Sequence, residues 1–504
     1  MEITVQQGDI RGAAADAIIV NLFADVSSPA GGTGAVNTTL GGAIQEVIDS
    51  GDISGKLGET LVLYPRGAIP AKRVIIVGLG PRDGFSLESV REAAGSAIKK
   101  ARDMGANTVA TIVHGAGIGG LTVEGAAQAV VEASLMALYE YDAPRSLNRS
   151  NPKIIDELIL IEFDAMKIGD IEAGAAVGEA MAEGVALART LVNQPSNVAT
   201  PTAIANAATK MCGQVGISGK AYDEKWMREQ KMEVLLAVTQ GSREQAKFVV
   251  MEHNPSSATN RQPVVLVGKG VAFDTGGYSI KSSDGMVGMK GDMGGAAAVI
   301  GAMNVIGRLN LPVYVIGIVP TVENMVSSTA YKPNDVFVAK NKVSVEIIST
   351  DAEGRLILAD ALCYADTLDP MVVIDLATLT GGKMVALGNR TQALFTDDDA
   401  LHTALIAAGE TSGEPLWRMP LDKSYDRQLK SDVADIKNTG GRMASAVTAA
   451  RFLAHFVGDW PWAHIDIAGA DMHSGKAEET DRSYLTKGGT GVMVRSLVEY
   501  VRGL

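Results

Sequence analysis

Short apolar runs rich in Val and Ile recur along this chain, separated by stretches of helical periodicity, and that alternation most constrains its fold. AAADAIIVNLF, ETLVLYPRG and RVIIVGLG read as buried strands, while SVREAAGSAIKKARDMG reads as an amphipathic helix ending at Gly105. Further along, PVVLVGKG, PVYVIGIVP, SVEIIST, MVVIDLATLTG and WAHIDIAGA are strand candidates, with helix candidates near 294–309, 352–366 and 442–457. Strands alternating with helices imply an α/β protein with a largely parallel sheet in its first part. Polar residues cluster where these strands end, the place at which open α/β sheets hold ligands.

At 504 residues the chain is too long for a single core, so at least two domains are expected. The polar, proline-punctuated stretch 144–156 is the best boundary candidate, followed by the strand ELILIEF and a long Ala/Gly/Glu-rich helix over about 170–191. We therefore divide the chain into 1–165, a connecting helix 166–191, and 192–504. The net charge of −13 opposes a broad phosphate-binding surface and argues against nucleic acid as a partner. No apolar run suits a membrane span, and the opening MEITVQQGDIRGAAADAIIV carries an early acid and no basic segment, unlike a signal peptide. Cys212 and Cys363 are expected as buried free thiols in a reducing cytosol, which suits a cytoplasmic protein with no membrane partner.

The six histidines are scattered and form no HExxH pair, and no G-x-S-x-G is present. Nucleophilic hydrolysis and a single-zinc histidine site therefore have little support. Two acid-rich stretches stand out instead. Residues 267–298 place Lys269, Asp274, Lys281 and Asp292 among glycines, and residues 346–362 place Asp351, Glu353 and Arg355 just past a buried strand. The plain alternatives are solvated turns for the first stretch and helix capping for the second, with Asp351 as N-cap and Glu353 as a first-turn acid. Capping explains neither the nearby Arg355 nor the second acidic cluster upstream. Asp274, Asp292, Asp351 and Glu353 carry four negative charges, which would balance two divalent cations. Hard oxygen ligands suit Mn²⁺, Mg²⁺ or Zn²⁺ in a site with metals roughly 3–4 Å apart.

GKGVAFDTGGYSIK, MKGDMGGAAA and TDAEGRLILAD resemble the signature segments of the leucyl aminopeptidase family, supported by ARTLVNQPSN, VIDLATLTG, DIKNTGGR and WAHIDIAG. The resemblance runs from about 170 to 504. It implies a larger C-terminal catalytic α/β domain with a mixed central sheet flanked by helices. It also implies a metal-dependent aminopeptidase that releases the N-terminal residue of peptides. By the resemblance, Asp274, Asp351 and Glu353 hold one metal, and Lys269, Asp274, Asp292 and Glu353 the other. Lys281 would stabilise the developing oxyanion, and Arg355 would hold a bicarbonate ion acting as general base. Met289, Thr378, Gly381 and Ala468 match the first-residue pocket, whose apolar lining suits Leu or Met. Departures are Ser349 before TDAEGR, Ser445 after GGR, and Asp471 where the family often has an apolar pocket residue. QGDIRGAAADAIIVN followed by GGAIQEVI resembles the opening of macro domains, as does this family's N-terminal domain. Because the loop after that strand reads NLFADVSSPAGG, an assembly role is expected there in preference to nucleotide binding, and the resemblance implies a homohexamer of stacked trimers. The competing reading is a macro-like, DNA-associated regulatory protein whose peptidase activity is secondary.

Overall fold

The computed structural model describes residues 1–117, 119–144, 153–475 and 482–504. The chain divides into two compact units, Met1–Ala182 with Thr480–Thr486, and Glu183–Glu479 with Lys487–Leu504. Residues 145–152, the middle of the expected boundary stretch, lie outside the described residues. The long helix runs from Ile168 to Asn193, beginning in the first unit and ending in the second.

The first unit holds β1 (Glu2–Gln7), β2 (Ala17–Leu22), β3 (Thr60–Leu63), β4 (Val74–Gly78), β5 (Thr108–Thr111) and β6 (Glu157–Glu162). Their order is β1-β6-β5-β2-β4-β3, and every neighbouring pair is parallel except β3 with β4. β4 is buried along its length, as its unbroken VIIVG run requires. β3 departs from the expectation of a buried strand: all four of its residues are only partly buried. It is the last strand in the order, so one of its edges has no strand to cover it. The helix expected to end at Gly105 spans Leu87–Asp103, capped by Ser86, and Gly105 turns the chain away with φ +73°.

The second unit holds β7 (Ser218–Tyr222), β8 (Lys247–His253), β9 (Val264–Gly268), β10 (Gly270–Asp274), β11 (Val315–Asn324), β12 (Val336–Val338), β13 (Ser344–Glu346), β14 (Val372–Ala377), β15 (Gln392–Phe395), β16 (Leu416–Arg418), β17 (Ile436–Lys437) and β18 (Trp462–Asp466). The main sheet runs β16-β15-β18-β14-β9-β11-β8-β7, with β10 paired to β11. Its centre, β18-β14-β9-β11, is parallel, and antiparallel pairs flank it on both sides, so the sheet is mixed. SVEIIST forms only a short strand, β13, which joins β12 and β17 in a separate three-stranded sheet.

Two helices cover the centre from opposite faces. Val265, Val267, Ile316 and Ile318 share a core with Leu358 and Leu362 of helix Glu353–Asp366. Gly317, on the alternate face, meets helix Gly294–Arg308, where an added Cβ would lie 2.8 Å from Met303 Cγ. Because the central strands are parallel, their carboxyl ends and the amino ends of both helices gather on one edge of the sheet.

Candidate active site

That edge collects the polar residues. β9 ends at Gly268, so Lys269 leaves the sheet at its carboxyl end, and β10 then closes on Asp274 in register with Asn324 of β11. Gly276 turns the chain next with φ +83°, and an added Cβ there would lie 2.6 Å from Ser279 O and 3.0 Å from Asp351 Oδ1. Only glycine fits this turn beside the acids. Asp292 follows the short turn Met289–Gly291 and precedes helix Gly294–Arg308. Glu353 opens helix Glu353–Asp366, whose N-cap is Ala352 with no side-chain cap bond, so Asp351 is not the cap. The capping explanation of that acid fails.

Two lysines tie the acids together. Lys269 Nζ lies 2.7 Å from Asp292 Oδ1, 2.9 Å from Glu353 Oε1, and donates to Thr378 O at 2.8 Å. Lys281 Nζ lies 2.7 Å from Asp274 Oδ2 and also donates to Asp351 Oδ1. One oxygen each from Asp274, Asp351 and Glu353 lie within 4.8 Å of one another, a group that could hold a metal ion. Asp292 is linked to Glu353 through the Lys269 ammonium, which contacts both carboxylates. Arg355 is buried but makes no ion pair with the four acids; its Nη1 donates to Asn438 O at 2.8 Å, and its Nε has no hydrogen-bond partner.

Of the expected pocket residues, Thr378 touches this cluster directly. Thr378 Oγ1 donates to Asp292 Oδ1 at 2.8 Å. Met289 is half-buried in the turn before Asp292, Ala468 is buried past the end of β18, and Gly381 is exposed at the start of helix Gly381–Leu387.

The electrostatics show a strained balance. Burial, reinforced by Glu353, pushes the Asp274 carboxyl up to about 6 against the pull of Lys281 and Lys269. Burial likewise raises Asp292 and Asp351. Glu353 is fully buried yet held low, because Lys269 and Lys281 outweigh its desolvation. Burial alone would pull both lysines down, but the surrounding carboxylates, led by Asp292 for Lys269 and Asp274 for Lys281, raise them. Burial lowers Arg355 to about 10, with Glu353, Asp466 and Asp351 opposing. Asp292 Oδ2 is buried without a hydrogen-bond partner. Four acids against two lysines leave a deficit of positive charge in a desolvated crevice, and hard oxygen donors of this kind fit divalent cations.

Three supporting residues have no role in the sequence reading. Asn324 Nδ2 donates to Asp274 Oδ1 at 2.7 Å and to Thr350 O at 2.9 Å. Thr350 Oγ1 donates to Gly276 O at 2.6 Å and accepts from Ser279 N at 2.8 Å. Asn438 Oδ1 accepts from Ile348 N at 2.9 Å, which fixes the approach to Asp351. A signal existed for two of them: Asn324 is a lone amide closing a long apolar strand, and Asn438 lies in DIKNTGGR. Of the departures, Ser349 keeps a local function, since its Oγ accepts from Asp351 N at 3.2 Å.

Fold and acid cluster together place the chain among α/β metalloenzymes. Comparison with known proteins then gives the family. Residues 186–498 match the cytosol aminopeptidase family, catalytic domain, and residues 19–148 match the N-terminal domain of the same family. A probable cytosol aminopeptidase of Roseiflexus castenholzii is 40% identical over 504 residues, covering 100% of this chain and 99% of the relative. One from Syntrophotalea carbinolica is 42% identical over 465 residues, covering 92% of each. Among solved structures, the bottromycin maturation enzyme BotP in complex with Mn superposes with a TM-score of 0.85 at 34% identity, covering 97% of this chain and 99% of that one. A tomato leucine aminopeptidase mutant superposes with a TM-score of 0.88 at 32% identity, covering 100% of this chain and 97% of that one. The chain belongs to the cytosol aminopeptidase family and is a leucyl-aminopeptidase-type metallo-exopeptidase, hydrolysing peptides from the N-terminus in a metal-dependent reaction.

Proposed function

We propose that the acid cluster holds two divalent cations, Mn²⁺ or Zn²⁺, with Asp274 and Glu353 shared between them. Asp351 would complete one site, and Lys269 and Asp292 the other. The observation that carries this reading is the group of Asp274, Asp351 and Glu353 oxygens within 4.8 Å of one another, the first and last of these residues buried, together with a buried Asp292 Oδ2 that has no hydrogen-bond partner. When bound, such metals supply Lewis acidity and bring the pKa of a water close to neutrality. The chain's own residues do the rest. Lys281, which reaches into the cluster from the turn after Asp274, would bind the scissile carbonyl oxygen and stabilise the charge that develops there. Arg355, with its Nε free of partners, binds a bicarbonate ion that serves as general base. Met289, Thr378, Gly381 and Ala468 receive the first side chain, and their apolar surfaces suit Leu or Met.

We further read 1–165 as an assembly domain, 166–191 as a connecting helix and 192–504 as the catalytic domain of a cytoplasmic homohexamer. No helix among the described residues is long and apolar enough to cross a membrane, and both cysteines are free and buried. Exhaustive chelation should abolish cleavage of leucyl anilide, and Mn²⁺ or Zn²⁺ should restore it. Undiminished turnover by metal-free protein would refute the two-metal site.

A further inference from the structure

Asp471 lies just past β18, 9% exposed, with a carboxylate that nothing in the metal site explains. Its Oδ1 accepts from Gly469 N at 3.1 Å. No cationic side chain of the described residues is within ion-pair distance of it. The nearby Lys383 ammonium is engaged elsewhere, donating to Gly388 O and Ala468 O at 3.0 Å each. A buried carboxylate without a counter-charge is costly, and such groups are normally paired. Burial pushes this one up to about 6, with only partial relief from its own and the Gly469 backbone N–H groups and from the charges of Lys383 and Lys269.

Its position shows where a partner could come from. A Cβ on Gly291 would lie 2.7 Å from Asp471 Oδ2. One on Gly294 would lie 3.0 Å from Asp471 Cβ and 3.3 Å from Thr378 Cγ2. Asp471 therefore stands beside Thr378 and against the turn that carries Met289, separated from Ala468 by two residues. Those three are walls of the proposed first-residue pocket.

We propose that Asp471 is a specificity-determining residue of this pocket and supplies the counter-charge for a cationic first side chain, so that peptides beginning with Lys or Arg are substrates alongside those beginning with Leu or Met. The inference rests on the pocket assignment made above. Lys and Arg suit such a site because each has an apolar stem and a charged head. The stem lies along Met289 and Ala468, and the head reaches the Asp471 carboxylate.

Lysine and norleucine share a stem and differ by the ammonium, so their anilides isolate the effect. With Mn²⁺-loaded full-length protein, wild type should cleave lysyl anilide at least as efficiently as norleucyl anilide. In Asp471→Asn and Asp471→Met the lysyl-to-norleucyl ratio of kcat/KM should fall about 10- to 100-fold, the usual worth of a hydrogen bond to a charged group. Leucyl anilide should remain a substrate of both variants, which shows that each is folded. Two results would overturn the proposal: a ratio within about twofold of wild type in variants that still cleave leucyl anilide, or a wild type about 100-fold worse on lysyl than norleucyl substrate. A wild type that cleaves none of these anilides with metal present would instead overturn the site reading itself, and this inference with it.

Discussion

Lys269 and Lys281 occupy one acid cluster but have different surroundings, and the difference assigns them different work. Lys269 is buried and fastened on three sides by Asp292, Glu353 and Thr378 O, whereas Lys281 reaches in from the turn after Asp274 and keeps some exposure. Lys281→Ala should therefore lower kcat about 10²–10³-fold with little change in KM, as expected for a group that acts on transition-state charge. Lys269→Ala should instead lower the metal content of the protein, and excess Mn²⁺ should restore part of the rate. Elemental analysis and steady-state kinetics on the two variants check both expectations, and loss of metal in Lys281→Ala alone would reverse the assignment. That these four acids and two lysines come together was legible because they fall near strand ends in an unusual pattern. Thr350 was not, because a hydroxyl that orients a neighbour leaves no charge signature in sequence.

Elements position these side chains, and one glycine shows how closely. A Cβ on Gly354 would lie 2.5 Å from Lys269 Cε and 2.7 Å from its Nζ, both of which are held in place by the acids. Gly354→Ala should fold normally, since alanine favours helix, yet lose most activity and part of its metal. A fully active Gly354→Ala would show that Lys269 can move freely. The N-terminal unit offers a test that does not involve the catalytic site. His114 follows β5, fully buried, with Nδ1 3.2 Å from Asn21 Nδ2, and burial holds its pKa at about 4 against the ordinary 6.5. Between those values the unfolded chain binds a proton that the folded chain does not. The stability this neutral ring permits is thus present above about pH 6.5 and is lost as pH falls toward 4, by up to about 3 kcal/mol. Denaturant unfolding of wild type and His114→Gln should show a smaller acid-induced loss in the variant; parallel curves would exclude the mechanism. The buried strands β4, β9 and β14 were legible because full burial favours Val/Ile-rich runs. β7 and β8 escaped notice because SGKAY is largely exposed and KFVVMEH ends in charge. The half-buried state of β3 depends on sheet order, which its own residues do not encode.

At the scale of the whole molecule, an exopeptidase must recognise a free terminus. If the metals also bind the substrate α-amine, N-acetylated peptides should be inert, and release of internal fragments from a blocked peptide, detected by mass spectrometry, would contradict this. The homohexamer should appear in sedimentation as six chains of 52.6 kDa, and a monomer would remove the assembly role proposed for the first domain. As proposed, the crevice works only as a shared carboxylate cage for two cations. The most direct test of this is a titration of metal content against the rate of leucyl anilide cleavage, in wild type and in Asp274→Asn. Wild type should gain activity as it fills to two ions per chain, while Asp274→Asn, folded but short of a shared ligand, should stay inactive at every metal concentration. Full activity in metal-free wild type, or in Asp274→Asn, would contradict the account.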